Sequence, residues 1–185
     1  APLSTAAVLL VLSLFSPSFV PVILSASEKA PVITMGIVGG LMVGFFEELG
    51  WTGFAIPRMR LRYSILTTGL VIGLLWGAWH FLLFWESDTF SAALPLALLL
   101  ARLFSWLPAY RILMAWIYNG TESLLVVMLM HVSLVATLAI LDPSLTGIEL
   151  LVFILARAIV LWGIVAAVTL ANRKQLVRDR YVSTY

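Results

Sequence analysis

The sequence predicts an all-α, polytopic transmembrane helical bundle of about six spans with both termini cytoplasmic. Three observations carry this. Of 185 residues, 62% are hydrophobic and 11% charged, and the mean hydropathy is +1.08, far beyond the roughly 45–50% apolar content of a soluble domain. The apolar stretches run unbroken for about 18 to 29 residues, where a closed barrel would need short alternating strands. The basic residues gather at the ends of these stretches, where they read as topology signals. Seven Trp, ten Phe and five Tyr suit lipid-facing and interfacial positions. A net charge of +2 argues against a nucleic-acid partner, and the lack of cysteine rules out disulfides, thiolate chemistry and Cys-based metal sites.

The first span is expected over roughly residues 3–24, with Pro17 and Pro21 kinking or ending it. The opening APLSTAAV has no basic n-region and no small-residue cleavage site, so this run does not read as a signal peptide. A polar link with Glu28 and Lys29 leads to a second helix that starts at Pro31 and stops near Pro57, followed by Arg58, Arg60 and Arg62. The third span covers about 63–85 and an acidic link with Glu86 and Asp88 follows it. The run from about 90 to 118 reads as one tilted, kinked helix. That choice puts Arg58 to Arg62 and the tail residues Arg173, Lys174, Arg178 and Arg180 on one side, and Glu86, Asp88 and Asp142 on the other. The fifth span is 124–141 and the sixth 148–170. No repeat or second domain is apparent, so residues 1–185 read as one membrane-embedded unit with a basic cytoplasmic tail over 171–185.

The chain is organised around GIVGGLMVGFFEELGWTGFAIPRMRLR, residues 36–62. Gly36, Gly40 and Gly44 recur every four residues as a ridge on which another helix can lie close, and the next position on it is Glu48. Glu48 is therefore expected to face protein. Glu47, about 100° further round the helix, can reach an internal cavity without sharing the partners of Glu48. An ionised carboxylate in lipid costs roughly 2.5 kcal/mol or more at the helix centre, so a buried pair points to chemistry or ion binding. The two histidines of the chain, His80 and His131, also fall within apolar spans. Acids and imidazoles on three helices suggest a shared polar site suited to activating water, with one imidazole relaying a proton and another steadying an oxyanion.

Three segments in order, EELGWTGFAIPR, WGAWHFLLF and WIYNGTESLLVVMLMHVSL, resemble the motifs of the CPBP family, the type II CAAX prenyl protease and bacteriocin-processing (Abi) intramembrane proteases. The resemblance covers about residues 31–141. It implies an intramembrane endopeptidase in which Glu47 is the general base that activates water with the help of His80. Glu48 is then the second, site-organising glutamate, His131 the oxyanion-stabilising histidine, and Trp76 occupies the motif's aromatic position. Two positions depart from the family pattern. Thr52 stands where an arginine is usual, a loss that Arg111, Arg102, Arg157 or Arg58 could make good, and Val135 stands where an asparagine is usual, with Ser133 or Thr137 as possible substitutes.

Trp51 and Trp76 are expected to contact substrate, a peptide or protein, with or without a prenylated CAAX-type C-terminus, that approaches from the cytoplasmic face. Neither cofactor nor metal is expected. The setting implied is a bacterial or archaeal plasma membrane, with membrane lipid as the other partner. Two other readings remain at this point: a catalytically weakened relative acting in binding or bacteriocin immunity, and a proton-coupled carrier using the same Glu and His groups.

Overall fold

The computed structural model describes residues 1–172 and 176; the basic tail residues Arg173, Lys174, Arg178 and Arg180 lie outside them. Nine α-helices occur among the described residues: α1 (Pro2–Ser13), α2 (Ala30–Gly50), α3 (Ile56–Met59), α4 (Ile65–Trp79), α5 (Phe81–Phe84), α6 (Ala93–Phe104), α7 (Leu107–Thr121), α8 (Leu124–Ile140) and α9 (Gly147–Ala171). Three continuous helical stretches, Ala30–Met59, Ala93–Thr121 and Gly147–Ala171, are long and apolar enough to cross a membrane, and α1, α4 and α8 are shorter apolar helices. Large apolar side chains such as Phe46, Leu82, Ile159 and Leu170 are exposed on the outside, as lipid allows and water does not. The chain is an integral membrane protein.

Two helix pairs form the centre. Helix α2 runs along α8, and α4 along α7. In the first pair the glycine ridge makes the contact. A Cβ on Gly36 would meet Ala139 and Ile140, on Gly40 the Val132 carbonyl at 2.8 Å, and on Gly44 the Met128 carbonyl at 3.1 Å, so the two helices are antiparallel. The second pair has its own ridge, Gly69, Gly73 and Gly77, facing Ile112, Pro108 and Leu103. Without Cβ atoms at these positions the backbones approach closely enough for direct van der Waals packing, which replaces the hydrophobic drive that lipid does not provide. Helices α6 and α1 pack against α9 at the side of these pairs.

Several expected boundaries shift, for local reasons. The first helix ends at Ser13, and 3₁₀ turns at Pro17–Phe19 and Val22–Leu24 replace the rest of the expected span. Prolines 17 and 21 lack the N–H that would continue a helix and disfavour helical geometry in the residue before them. With 12 residues, α1 is about 18 Å long. The expected helix over 63–85 breaks at His80, between α4 and α5. The run over 90–118 stays continuous but kinks between Phe104 and Leu107, just before Pro108.

The second helix ends at Met59, two residues past Pro57, and so stops near that proline as expected. It passes through a π-helical turn, Trp51–Ala55, into α3, with the Ile56 N–H reaching the Trp51 carbonyl five residues back. Pro57 cannot donate to the carbonyl four residues before it, and a locally widened turn accommodates that gap.

Candidate active site

Glu48 is fully buried and its carboxylate is saturated. One Arg111 nitrogen, Nη1, donates to both of its oxygens, at 2.8 Å to Oε2 and 3.0 Å to Oε1. His131 Nδ1 lies 2.7 Å from Oε1, and the Thr52 hydroxyl donates to Oε2. Arg111, Thr52 and His131 are themselves buried. Thr52 reaches Glu48 from one turn ahead, out of the π-helical segment that follows α2. The charge that the missing motif arginine would have supplied thus comes from α7, through Arg111. The other candidates are engaged elsewhere: Arg102 with Glu86 at 3.2 Å, Arg58 over the Phe54 ring, and Arg157 over the Trp106 ring.

Glu47 has different neighbours, as its angular position on α2 leads one to expect. The Trp76 indole N–H donates to its Oε2 at 2.7 Å, and no partner is bound at its other oxygen among the hydrogen bonds described. Trp76 also meets both imidazoles edge-on, with ring centroids 5.2 Å from His80 and 5.3 Å from His131. The Arg111 guanidinium lies 4.1 Å from its ring centroid. One aromatic side chain therefore touches every charged or titratable group of the site except Glu48.

The break in α4 positions His80. Its backbone N–H bonds to the Gly77 carbonyl in a tight last turn, three residues back, which leaves the Trp76 carbonyl to accept from His80 Nδ1 at 2.6 Å. A carbonyl only accepts, so Nδ1 carries the hydrogen, and in the neutral imidazole Nε2 keeps its lone pair. The same reasoning gives His131 an Nδ1–H directed at Glu48. The backbone just before His131 is pinned as well, because the Met130 carbonyl accepts from the Tyr110 hydroxyl at 2.8 Å and from the Ser133 hydroxyl at 2.9 Å.

A cavity of about 410 Å³ is lined by Glu47, Trp76, Trp79, His80, His131 and Val135, with apolar side chains completing the wall. Glu48 stands behind this wall and not on it. Trp51 is also absent from the lining and packs, half-buried, against two apolar clusters, one with Ile56, Ile65 and Ile72 and one with Trp76 and Tyr110. The wall along α8 extends from His131 to Ala139, toward the end of the bundle that bears Glu86 and Asp142. No group of three or more His, Asp or Glu side chains placed to hold a metal ion occurs among the described residues.

A family model described as type II CAAX prenyl endopeptidase Rce1-like matches residues 29–137. The chain belongs to this family. The matched segment contains both glutamates, both histidines, Trp76 and Arg111. The Rce1-like chain is also 35% identical over 51 residues to CAAX prenyl protease 2 of Methanococcus maripaludis, a match covering 28% of this chain and 19% of that protein. The chain thus spans about a fifth of the length of that curated relative. No solved structure matches it.

Within the Rce1-like chain two polar contributions escape a reading of the motifs alone. Thr52, legible only as a lost arginine, is a ligand of Glu48. Tyr110, beside Arg111 in the LPAYR segment, anchors the backbone at Met130. The position of the motif asparagine stays apolar. Val135 faces the cavity, while the hydroxyls of Ser133 and Thr137 donate to carbonyls of their own helix.

Proposed function

We propose that this chain is a CAAX-type intramembrane endopeptidase that cleaves a peptide bond with water activated by Glu47 and His80. The observation that carries the reading is the single cavity walled by Glu47, His80 and His131, each brought by a different helix. Trp76 occupies one oxygen of Glu47, which leaves the other to take a proton from water, and His80 Nε2 is a second acceptor beside it. The hydroxide adds to the substrate carbonyl carbon, and the proton passes to the departing amine as the bond breaks. His131, with Nδ1–H on Glu48, becomes a donor to the oxyanion when Nε2 also carries a hydrogen. Glu48, Arg111 and Thr52 orient His131 and do not meet substrate. Trp76 serves as a positioning residue for Glu47, and Trp79 with the apolar wall accommodates the chain of a peptide or protein, prenylated or not. No resident cofactor is assigned. The basic end of the bundle faces the cytoplasm of a bacterial or archaeal cell under the positive-inside rule.

The purified protein in detergent should cleave a fluorogenic apolar peptide, and Glu47→Gln and His80→Ala should each abolish turnover. Unchanged turnover in Glu47→Gln rules the mechanism out.

One observation supports a second reading, a weakened relative that binds without cutting. The cavity has no donor at Val135, and removing one oxyanion donor typically lowers kcat by about 10²–10³. Binding of the same peptide with identical affinity in wild type and Glu47→Gln, with no cleavage by either, would favour it.

A further inference from the structure

A second cavity, of about 220 Å³, adjoins the first and is lined by Arg102, Asp142, Arg157, Thr5 and Thr137 among apolar residues. Phe84, Trp106 and Leu138 line both cavities, so the two are separated by a thin, mostly aromatic partition. A guanidinium lies over each ring of that partition. Arg157 is 3.7 Å from the Trp106 centroid and Arg102 5.6 Å from the Phe84 centroid.

Arg157 is the unusual member. It is only 5% exposed, has no carboxylate within ion-pair distance among the described residues, and its Nε has no hydrogen-bond partner there. Arg102 is already paired with Glu86. The one acid on the cavity wall, Asp142, is exposed and accepts the Ser144 N–H at 2.9 Å. A buried cation in a membrane protein ordinarily faces a partner or a substrate path, and this one lines a cavity next to the proposed site of cleavage.

We infer that this second cavity is a subsite in which Arg157 receives a carboxylate of the bound peptide. The inference rests on the peptidase reading of the neighbouring cavity and deepens it. Its position sets the ligand. Arg157 is ten residues into α9 from Gly147, about 15 Å along the helix and near the middle of a hydrocarbon core about 30 Å thick, too deep for a lipid phosphate. From His131 to Leu138, the shared wall residue, is seven positions along α8, about 10 Å, the reach of about three extended residues. A peptide carbonyl held at His131 can thus place a carboxylate three residues further on at the partition, where the Arg157 guanidinium lies 3.7 Å from the Trp106 ring centroid. The source is either the free C-terminus or an acidic side chain, and both satisfy a guanidinium fork.

Binding, measured apart from cleavage, tests this. The Glu47→Gln full-length protein in detergent is titrated with three fluorescein-labelled apolar tetrapeptides: one with a free C-terminus, its C-terminal amide, and an amide with a glutamate at the last position. At least one carboxylate peptide should bind about tenfold or more tighter than the plain amide, and which one identifies the source. Arg157→Gln in the same background should erase that advantage, and Arg157→Lys, which keeps charge but not the planar fork, should reduce it.

Equal binding of all three peptides, no binding of any, or an advantage unaltered in Arg157→Gln overturns the inference. Should Arg157→Gln fail to fold, Arg157→Lys decides: a reduced advantage supports the subsite and an unaltered one overturns it. Cleavage of the same peptides by wild type is read separately, so absent turnover condemns the peptidase reading and leaves the carboxylate preference to be judged on affinity.

Discussion

A single nitrogen of Arg111 bridges both oxygens of Glu48, and both side chains are wholly buried. In this family's motif the arginine lies four residues after the second glutamate, on the same helix. Here that position is Thr52, and the positive charge arrives from α7 instead. The hydroxyl of Thr52 fits the space beside the carboxylate that a longer side chain would fill.

Removing one partner of a buried ion pair leaves the other charge uncompensated, at a cost of about 3–5 kcal/mol. Arg111→Gln should therefore lower the thermal midpoint in detergent by many degrees and abolish peptide cleavage. Thr52→Arg introduced into that variant should recover part of the stability, since it returns a guanidinium to Glu48 from the motif position. A double variant no more stable than Arg111→Gln would show that the two positions are not interchangeable sources of charge.

Trp76 is held in the core by its ring and bound to Glu47 by its N–H. Trp76→Phe keeps an aromatic ring between the imidazoles but removes the donor. A hydrogen bond to a charged group contributes about 1.5–3 kcal/mol, so kcat should fall by about tenfold or more, with a smaller change in KM. A proportional rise in KM at constant kcat would instead mark Trp76 as a substrate contact.

Val135 offers the reverse experiment. Asparagine at this position, one helical turn beyond His131 and on the cavity wall, would supply the missing donor. Val135→Asn should raise kcat for peptide cleavage by about tenfold or more, while Val135→Leu should not. Equal rates in the two variants would mean that the oxyanion is held without help from this position.

The glycine seams give a prediction for stability alone. A Cβ on Gly73 would sit 2.5 Å from the Pro108 Cα, whereas one on Gly39 meets nothing within 4 Å. Gly73→Ala should destabilise by about 1–3 kcal/mol as α4 and α7 are forced apart, and Gly39→Ala should be neutral or stabilising by about 0.5–1 kcal/mol through helix propensity. Thermal unfolding of both variants in one detergent checks the contrast; equal midpoints would contradict the packing described here.

Much of this was legible in the sequence because membrane helices write their packing in small residues and their chemistry in rare polar ones. The ridge ending at Glu48 disclosed both the buried face of α2 and the separation of Glu47 from it. Arg111 was legible only as one of four arginines, because the choice depends on which helix lies beside α2 and α8, a tertiary fact. The second ridge, Gly69 to Gly77, has the same spacing of four and was overshadowed by the aromatic motif in which it is embedded. The break at His80 has no proline to announce it; it arises where the imidazole takes over the carbonyl that the backbone N–H would have used. Trp51 lies in the π-helical turn just after the acids, yet it does not line the cavity that Glu47 lines.

The two adjacent acids divide their loyalties. Glu47 is tied to Trp76 on α4 and Glu48 to Arg111 on α7, so consecutive residues of one helix pair fasten it at two points to the other. Each pair is zipped internally by glycine, yet neither holds a complete reaction set: one brings the acids and His131, the other His80 and the indole. Assembly of the bundle and assembly of the chemistry are therefore a single event. A half-formed bundle in the membrane would carry the acids and His131 without His80 or the indole, short of the proposed reaction set until the clasp closes.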